Sequence, residues 1–199
     1  QAKLFPALLN ALDGQDRPVG GYTLAEGIAV KAPGELTRGI IRDQADDIVL
    51  VDEPALELAV NAYLNQLKLL AEGAGAAGLA AIQDDPERFA GLKVATVLCG
   101  GNIDTRLMSS ILLRGLVRSG RMARLRIELI DIPGQLVKVS SVIAEAGGNV
   151  IDVAYHRIFS DLPAKVTYID ISVEAHDRAH MDRILAALRA PDFKLETAA

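Results

Sequence analysis

One short segment of this sequence stands out for its chemistry. Cys99 follows an apolar run, residues 93–98 (KVATVL), and precedes Gly100, Gly101 and Asn102. A thiol at the carboxyl end of a strand is either a packing group or a neutral hydrogen-bond partner for a ligand. Two successive glycines let a backbone pass close to a flat ring, and they equally make a tight strand-to-helix turn. Asn102 can fix that loop through its amide or cap a helix that begins near Asp104. No second cysteine or histidine lies nearby, which excludes a structural zinc there. Glu72 opens a second candidate, residues 72–77 (EGAGAA). Its small residues let a helix approach another backbone or a ligand. Taken alone, Glu72 is a solvated charge favoured by a helix N-terminus. A third set comes later, in residues 131–136 (DIPGQL) and 147–150 (GGNV). Backbone N–H groups near Pro133 and Gly134, at the start of a helix from Gln135, can receive a carboxylate. Asn149 can bond an amino or carboxyl group, or merely hold a turn.

The composition removes several other functions. Of 199 residues, half are hydrophobic and 24% charged, with a formal net charge of −5. No global basic field is present to attract nucleic acid or anionic lipid. With no tryptophan and 4% aromatics, a base-stacking surface is not expected. One cysteine forbids an internal disulfide and fits a reducing cytoplasm. No apolar run reaches the roughly 20 residues that span a bilayer. The opening residues lack the basic and apolar regions of a signal peptide, begin without Met, and enter a helical pattern at once. We therefore expect a piece of a longer chain. His156, His176 and His180 lack metal-ligand spacing and read as surface or interface residues. The charge runs 26–31 and 121–126 read as solvated or linker charge.

The elements that would position these residues come in two styles. Residues 1–12 carry a helical stripe through Leu4, Phe5, Leu8, Leu9 and Leu12, and residues 13–21 are loop. Helical spacing returns over 35–45. Residues 47–52 (DIVLVD) predict a strand, 53–70 a long helix with Pro54 in its first turn, and 73–82 a small-residue helix. Residues 93–98 predict a fully apolar strand, followed by a helix over 104–118. Alternating strands and helices indicate a parallel sheet covered on both faces, with ligands beyond the carboxyl ends of its strands. The pattern changes near residues 119–121. Residues 124–130 alternate as a half-buried strand, 135–146 are helical, and Gly147 and Gly148 stop that helix. Strands over 149–159 and 164–175, joined by a turn at 160–163, precede a helix capped by Asp177 and running to Arg189. Residues 192–196 form a last strand. The order is βαββαβ, the ferredoxin-like split unit. We expect two domains, 1–119 and 120–199.

Read together, residues 23–31 (TLAEGIAVK), 72–77 and 97–104 (VLCGGNID) resemble the C-terminal part of the catalytic domain of threonine ammonia-lyases, fold-type II pyridoxal-phosphate enzymes. Residues 131–136 and 147–150 resemble those of an ACT regulatory domain. The resemblance covers nearly the whole chain. It implies deamination of L-threonine to 2-oxobutanoate and ammonia in a longer parent enzyme, with pyridoxal 5'-phosphate as cofactor. It implies that Cys99 meets the cofactor's ring nitrogen, with Gly100, Gly101, Asn102 and Glu72 nearby. A weak neutral partner leaves that nitrogen unprotonated, which favours β-elimination. The family's Schiff-base lysine and phosphate loop match nothing here, so the chain alone is expected to be inactive. Glu26 stands where many relatives have Asp. Gln1 and Ala7 stand where some relatives hold an ion with acidic residues, so no metal is expected. For the second domain, the resemblance implies homo-oligomers and a small amino-acid effector, branched-chain by preference, held by Asp131, Pro133, Gly134, Gln135, Leu136, Asn149 and Val150. A serine or hydroxy-amino-acid dehydratase or racemase of the same family, or a non-catalytic amino-acid-binding module, remains the alternative.

Overall fold

The computed structural model describes residues 1–158, 162–190 and 193–198, the side chains of 196–198 apart. The chain forms two compact units, Gln1–Leu112 and Leu113–Ala199.

The first unit is mostly helical. Helices α1 (Ala7–Asp13), α2 (Glu35–Gln44), α3 (Glu53–Ala62) and α4 (Gly73–Asp84) precede α5 (Thr105–Arg118), which runs past its end. Asp52 caps α3 by accepting the Ala55 N–H at 3.0 Å, with Pro54 in the first turn. The expected helix over 53–70 is shorter than its pattern. It loosens into a π turn at Tyr63–Leu67 and stops at Lys68, whose φ is +58°. Leu56, Ala59, Val60, Ala76 and Ala80 are buried where α3 and α4 meet. Alanine and glycine dominate the facing surface of α4, so the two backbones come close.

Two expected strands do not form here. Residues 47–52 contribute one isolated parallel bridge, Ala2 to Val51. Residues 93–98 are irregular and largely exposed, Val97 to 81%. A strand exists through its ladder partners, and among the described residues nothing pairs with 93–98. An apolar pattern is then not enough. Asn102 does not cap α5 either. Asp104 does, accepting the Leu107 N–H at 3.0 Å.

The second unit follows its pattern closely. Strand β1 (Met122–Ile130), helix α6 (Gln135–Glu145), strands β2 (Asn149–His156) and β3 (Val166–Glu174), helix α7 (Arg178–Arg189) and strand β4 (Lys194–Ala198) give βαββαβ. The sheet is antiparallel in the order β2-β3-β1-β4. Leu125, Ile127 and Leu129 of β1 alternate inward with Ile169, Ile171 and Val173 of β3, against Val139 and Ile143 of α6 and Ile184 and Leu188 of α7. Burying each such side chain stabilises the fold by about 2 kcal/mol. Parts of the expected segments at Phe159, Ser160, Asp161 and Asp192 lie outside the described residues.

Two charge readings need correction. His180 is not a surface residue: it is 4% exposed. Its Nδ1 accepts the His176 N–H at 3.1 Å and its Nε2 lies 2.8 Å from the Ala146 carbonyl. The first bond leaves the proton on Nε2, which therefore donates to Ala146. Arg126 is not simply solvated. Its Nε and Nη2 donate to the two carboxylate oxygens of Asp170 at 2.8 and 2.9 Å. Asp170 is 7% exposed and also meets His156 Nε2 at 3.0 Å.

Candidate functional site

In the first unit, helix α4 is the element on which the chemistry-bearing segments converge. Three of its glycines leave no room for a side chain. A Cβ on Gly73 would overlap the Leu24 carbonyl, and one on Gly75 would overlap the Cys99 carbonyl. A Cβ on Gly78 would come within 2.7 Å of Thr96 Oγ1. The small residues of 72–77 thus admit two other backbones, the loop at 23–25 on one side and residues 96–100 on the other. The Glu72 N–H donates to the Gly100 carbonyl at 3.1 Å, which ties the segments together.

The loop at 23–25 is held from α3. Glu53 accepts the Thr23 hydroxyl at 2.6 Å and the Leu24 N–H at 2.7 Å. Thr23 Oγ1 accepts the Ala25 N–H at 3.1 Å. A carboxylate that takes two donors orders a loop more firmly than one exposed ion pair does. Sequence reading missed Glu53, because its partners lie about thirty residues earlier.

A cavity of about 650 Å³ opens beside this junction, lined by Glu26, Gly27, Glu72, Gly73, Asn102 and Asp104 among others. Of the cofactor-side candidates, Glu72 and Asn102 line it. Cys99, Gly100 and Gly101 lie on the adjoining loop, with Cys99 exposed. Glu72 is not a freely solvated helix-end charge. Its Oε1 lies 3.1 Å from where a Cβ of Gly27 would stand and 2.5 Å from that of Gly100.

In the second unit, the turn after β1 forms its own recess of about 290 Å³. Asp131, Pro133, Gly134, Gln135 and Leu136 line it, with Ile132, Val137, Tyr155 and Arg157. Asn149 and Val150 are not part of it. Asn149 pairs with Glu174, which pairs with Met122. The turn, by contrast, follows Ile130, which pairs with Val166. Within one chain the two halves of the expected set sit at opposite ends of the sheet.

A family model described as the ACT domain matches residues 119–192. The chain carries an ACT domain. Along most of its length it is also similar to the threonine ammonia-lyases. An L-threonine ammonia-lyase of Geobacter sulfurreducens is 40% identical over 174 residues, 87% of this chain and 43% of that protein. One from Thermotoga maritima is 36% identical over 197 residues, 98% of this chain and 49% of that protein. The chain spans about half the length of these curated relatives. Among solved structures, a T.th. threonine deaminase is 29% identical, with a TM-score of 0.47 over 52% of this chain and 38% of that one.

Tyr155 and Arg157 of the ACT domain escaped sequence reading. Arg157 lies just past the end of β2, two residues after Tyr155. Arg157 stands over the Tyr155 ring at 4.4 Å, and its Nε donates to both Asp131 oxygens at 3.1 and 3.2 Å. Their nearness in the chain is visible in the sequence; their meeting with the β1 turn is not. No helix among the described residues is long and apolar enough to cross a membrane.

Proposed function

We propose that this chain is the C-terminal half of a pyridoxal-phosphate-dependent threonine ammonia-lyase, joined to an amino-acid-sensing ACT domain. The observation that carries this reading is the convergence of segments 23–31 and 97–104 on the glycines of the third, 72–77, which opens α4. The length of the similarity to L-threonine ammonia-lyases supports it. So does the exposed apolar segment 93–98, which has the composition of a parallel strand and would find its ladder in the rest of a longer chain.

The residues present fit one edge of the cofactor. The exposed Cys99 thiol is a neutral partner for a ring nitrogen. Gly100 has a φ of +78° and the adjoining Gly101 also lacks a side chain, so this backbone can approach a flat ring. Once bound, the cofactor supplies the electron sink that lets the substrate's α proton and β-hydroxyl leave. This chain contributes around it. Cys99 withholds a full negative charge from the ring nitrogen. Glu72, wedged between Gly27 and Gly100, fixes the loop that presents the thiol. Asn102 lines the adjoining cavity. The covalent lysine and the phosphate loop belong to the remainder of the parent enzyme.

In the ACT domain, the recess at Asp131–Leu136 is the effector site of this reading. Strand β2 lies at the sheet edge with Ile151 48% and Val153 36% exposed. An edge of this kind supports pairing with a second copy. Such pairing is also the way Asn149 and Val150 could join a ligand held at the turn.

The test is to assay the complete open reading frame containing this chain for 2-oxobutanoate release from L-threonine, beside the 199-residue chain alone. The complete protein is expected to be active and the chain inactive. An open reading frame that begins at residue 1, or a complete protein that acts on L-serine but not L-threonine, would overturn the reading.

A further inference from the structure

We propose that Glu53 is a positioning residue for the cavity beside α4: its carboxylate sets the loop that carries Glu26 and Gly27 into the cavity wall. The inference rests on the parent-enzyme reading above and deepens it, by assigning a role in the reaction to a residue that does not itself line the cavity.

Glu53 is not spent on its own helix. Asp52 already caps α3 through the Ala55 N–H, and a carboxylate in a first turn is favoured by the helix dipole without any further partner. Glu53 instead turns both oxygens to a loop much earlier in the chain. Its Oε1 accepts the Thr23 hydroxyl at 2.6 Å and its Oε2 accepts the Leu24 N–H at 2.7 Å. The same Thr23 oxygen accepts the Ala25 N–H at 3.1 Å. Thr23 and Ala25 are buried, so water does not readily replace a lost partner here.

Leu24 is held on its other side by α4. A Cβ on Gly73 would stand 2.3 Å from the Leu24 carbonyl oxygen, so the loop lies directly on that helix. From there the chain has little slack. The Ile28 N–H donates to the Ala25 carbonyl at 3.0 Å and closes a single 3₁₀ turn, Glu26–Ile28. Gly27 on that turn meets α4 again: its Cβ would lie 3.1 Å from Glu72 Oε1 and 3.1 Å from the Ala74 Cβ. Leu24, Glu26 and Gly27 line the cavity together with Glu72 and Asn102. Without the Glu53 carboxylate, the Thr23 hydroxyl and the Leu24 N–H lose their acceptor, and the turn that follows them shifts along α4. A misplacement of about 1 Å near a reacting centre costs on the order of a hundredfold in rate.

The experiment measures kcat, KM for L-threonine and melting temperature in the complete protein, with hydrogen exchange at Leu24 and Ala25. Glu53→Ala is expected to raise KM at least threefold, to lower kcat/KM at least tenfold and to quicken exchange at both amides. Thr23→Val, which removes the hydroxyl, should also raise KM at least threefold. Thr23→Ser, which keeps it, should stay below threefold. A purely structural role would lower kcat in proportion to the folded fraction and leave KM alone, and that result overturns the proposal. So does unchanged exchange at Leu24 in Glu53→Ala. If Glu53→Ala does not fold, the Thr23 variants decide: equal KM values overturn the proposal, and a raised KM in Thr23→Val alone supports it. A wild-type complete protein that releases no 2-oxobutanoate from L-threonine brings down the parent-enzyme reading and the proposal with it. Unchanged variants of an active protein bring down the proposal alone.

Discussion

Glu72 and Gly100 are fitted to each other. The Glu72 N–H donates to the Gly100 carbonyl at 3.1 Å, while Glu72 Oε1 lies 2.5 Å from where a Gly100 Cβ would stand. Gly100 also has a φ of +78°. Two independent constraints therefore exclude a side chain at this position, one steric and one conformational. Gly100→Ala is expected to destabilise the chain by about 1–3 kcal/mol. Gly75→Ala, which drives a methyl into the Cys99 carbonyl, should cost at least as much. Urea unfolding monitored by circular dichroism measures both. A Gly75→Ala chain as stable as the wild type would show that α4 and residues 96–100 do not pack as described.

Cys99 separates a neutral from a charged partner for the cofactor ring. In the complete protein, Cys99→Ser is expected to keep most elimination activity, because a hydroxyl is the same kind of neutral hydrogen-bonding group. Cys99→Asp should shift the bound cofactor's absorption spectrum and lower kcat by tenfold or more. Unchanged kcat and spectrum in Cys99→Asp would remove Cys99 from the site.

The Asp170 carboxyl is held below its ordinary value of 3.8, first by the hydrogen bond from Arg126, with His156 adding to it and burial opposing it. A depressed carboxylate adds stability above its unfolded value and loses it as pH falls through the folded value. The ACT domain should therefore weaken as pH drops below about 4. Arg126→Gln removes the main cause. It should lower stability at pH 7 by about 1–3 kcal/mol and flatten the acid-side slope. Denaturant midpoints between pH 2.5 and 7 give both quantities. Equal slopes in wild type and variant would contradict the assignment.

His180 joins two segments that no local pattern connects. It accepts from His176 in the chain entering α7 and donates to Ala146 at the end of α6. His180→Ala opens a cavity and orphans both partners, so a loss of about 2–4 kcal/mol is expected. Hydrogen exchange should quicken at residues 146–149, next to Asn149. Exchange that stays at wild-type rates there would mean that the histidine does not hold this turn.

The sequence by itself determined the ACT domain's βαββαβ order and most of its core. Strands β1 and β3 alternate near period two and the helices repeat near 3.6, so these elements are specified by residues within them, whereas β2 alternates only in part, across a register shift between Val150 and Asp152. The sequence also marked the segments after Leu98 and after Ile130 as turns, because glycine and proline constrain a backbone locally. The tertiary structure decided what depends on a distant partner. Residues 93–98 have a strand's composition but no ladder among the described residues, and pairing is not a local property. His180, Arg126 and Arg157 are ordinary polar residues in the sequence, and only the fold brings Ala146, Asp170 and Asp131 to within hydrogen-bonding distance of them. The resemblance to an ACT domain groups Asn149 and Asp131 in one site. The antiparallel register separates them by the length of a strand, since one turn follows the end of β1 and the other precedes the start of β2.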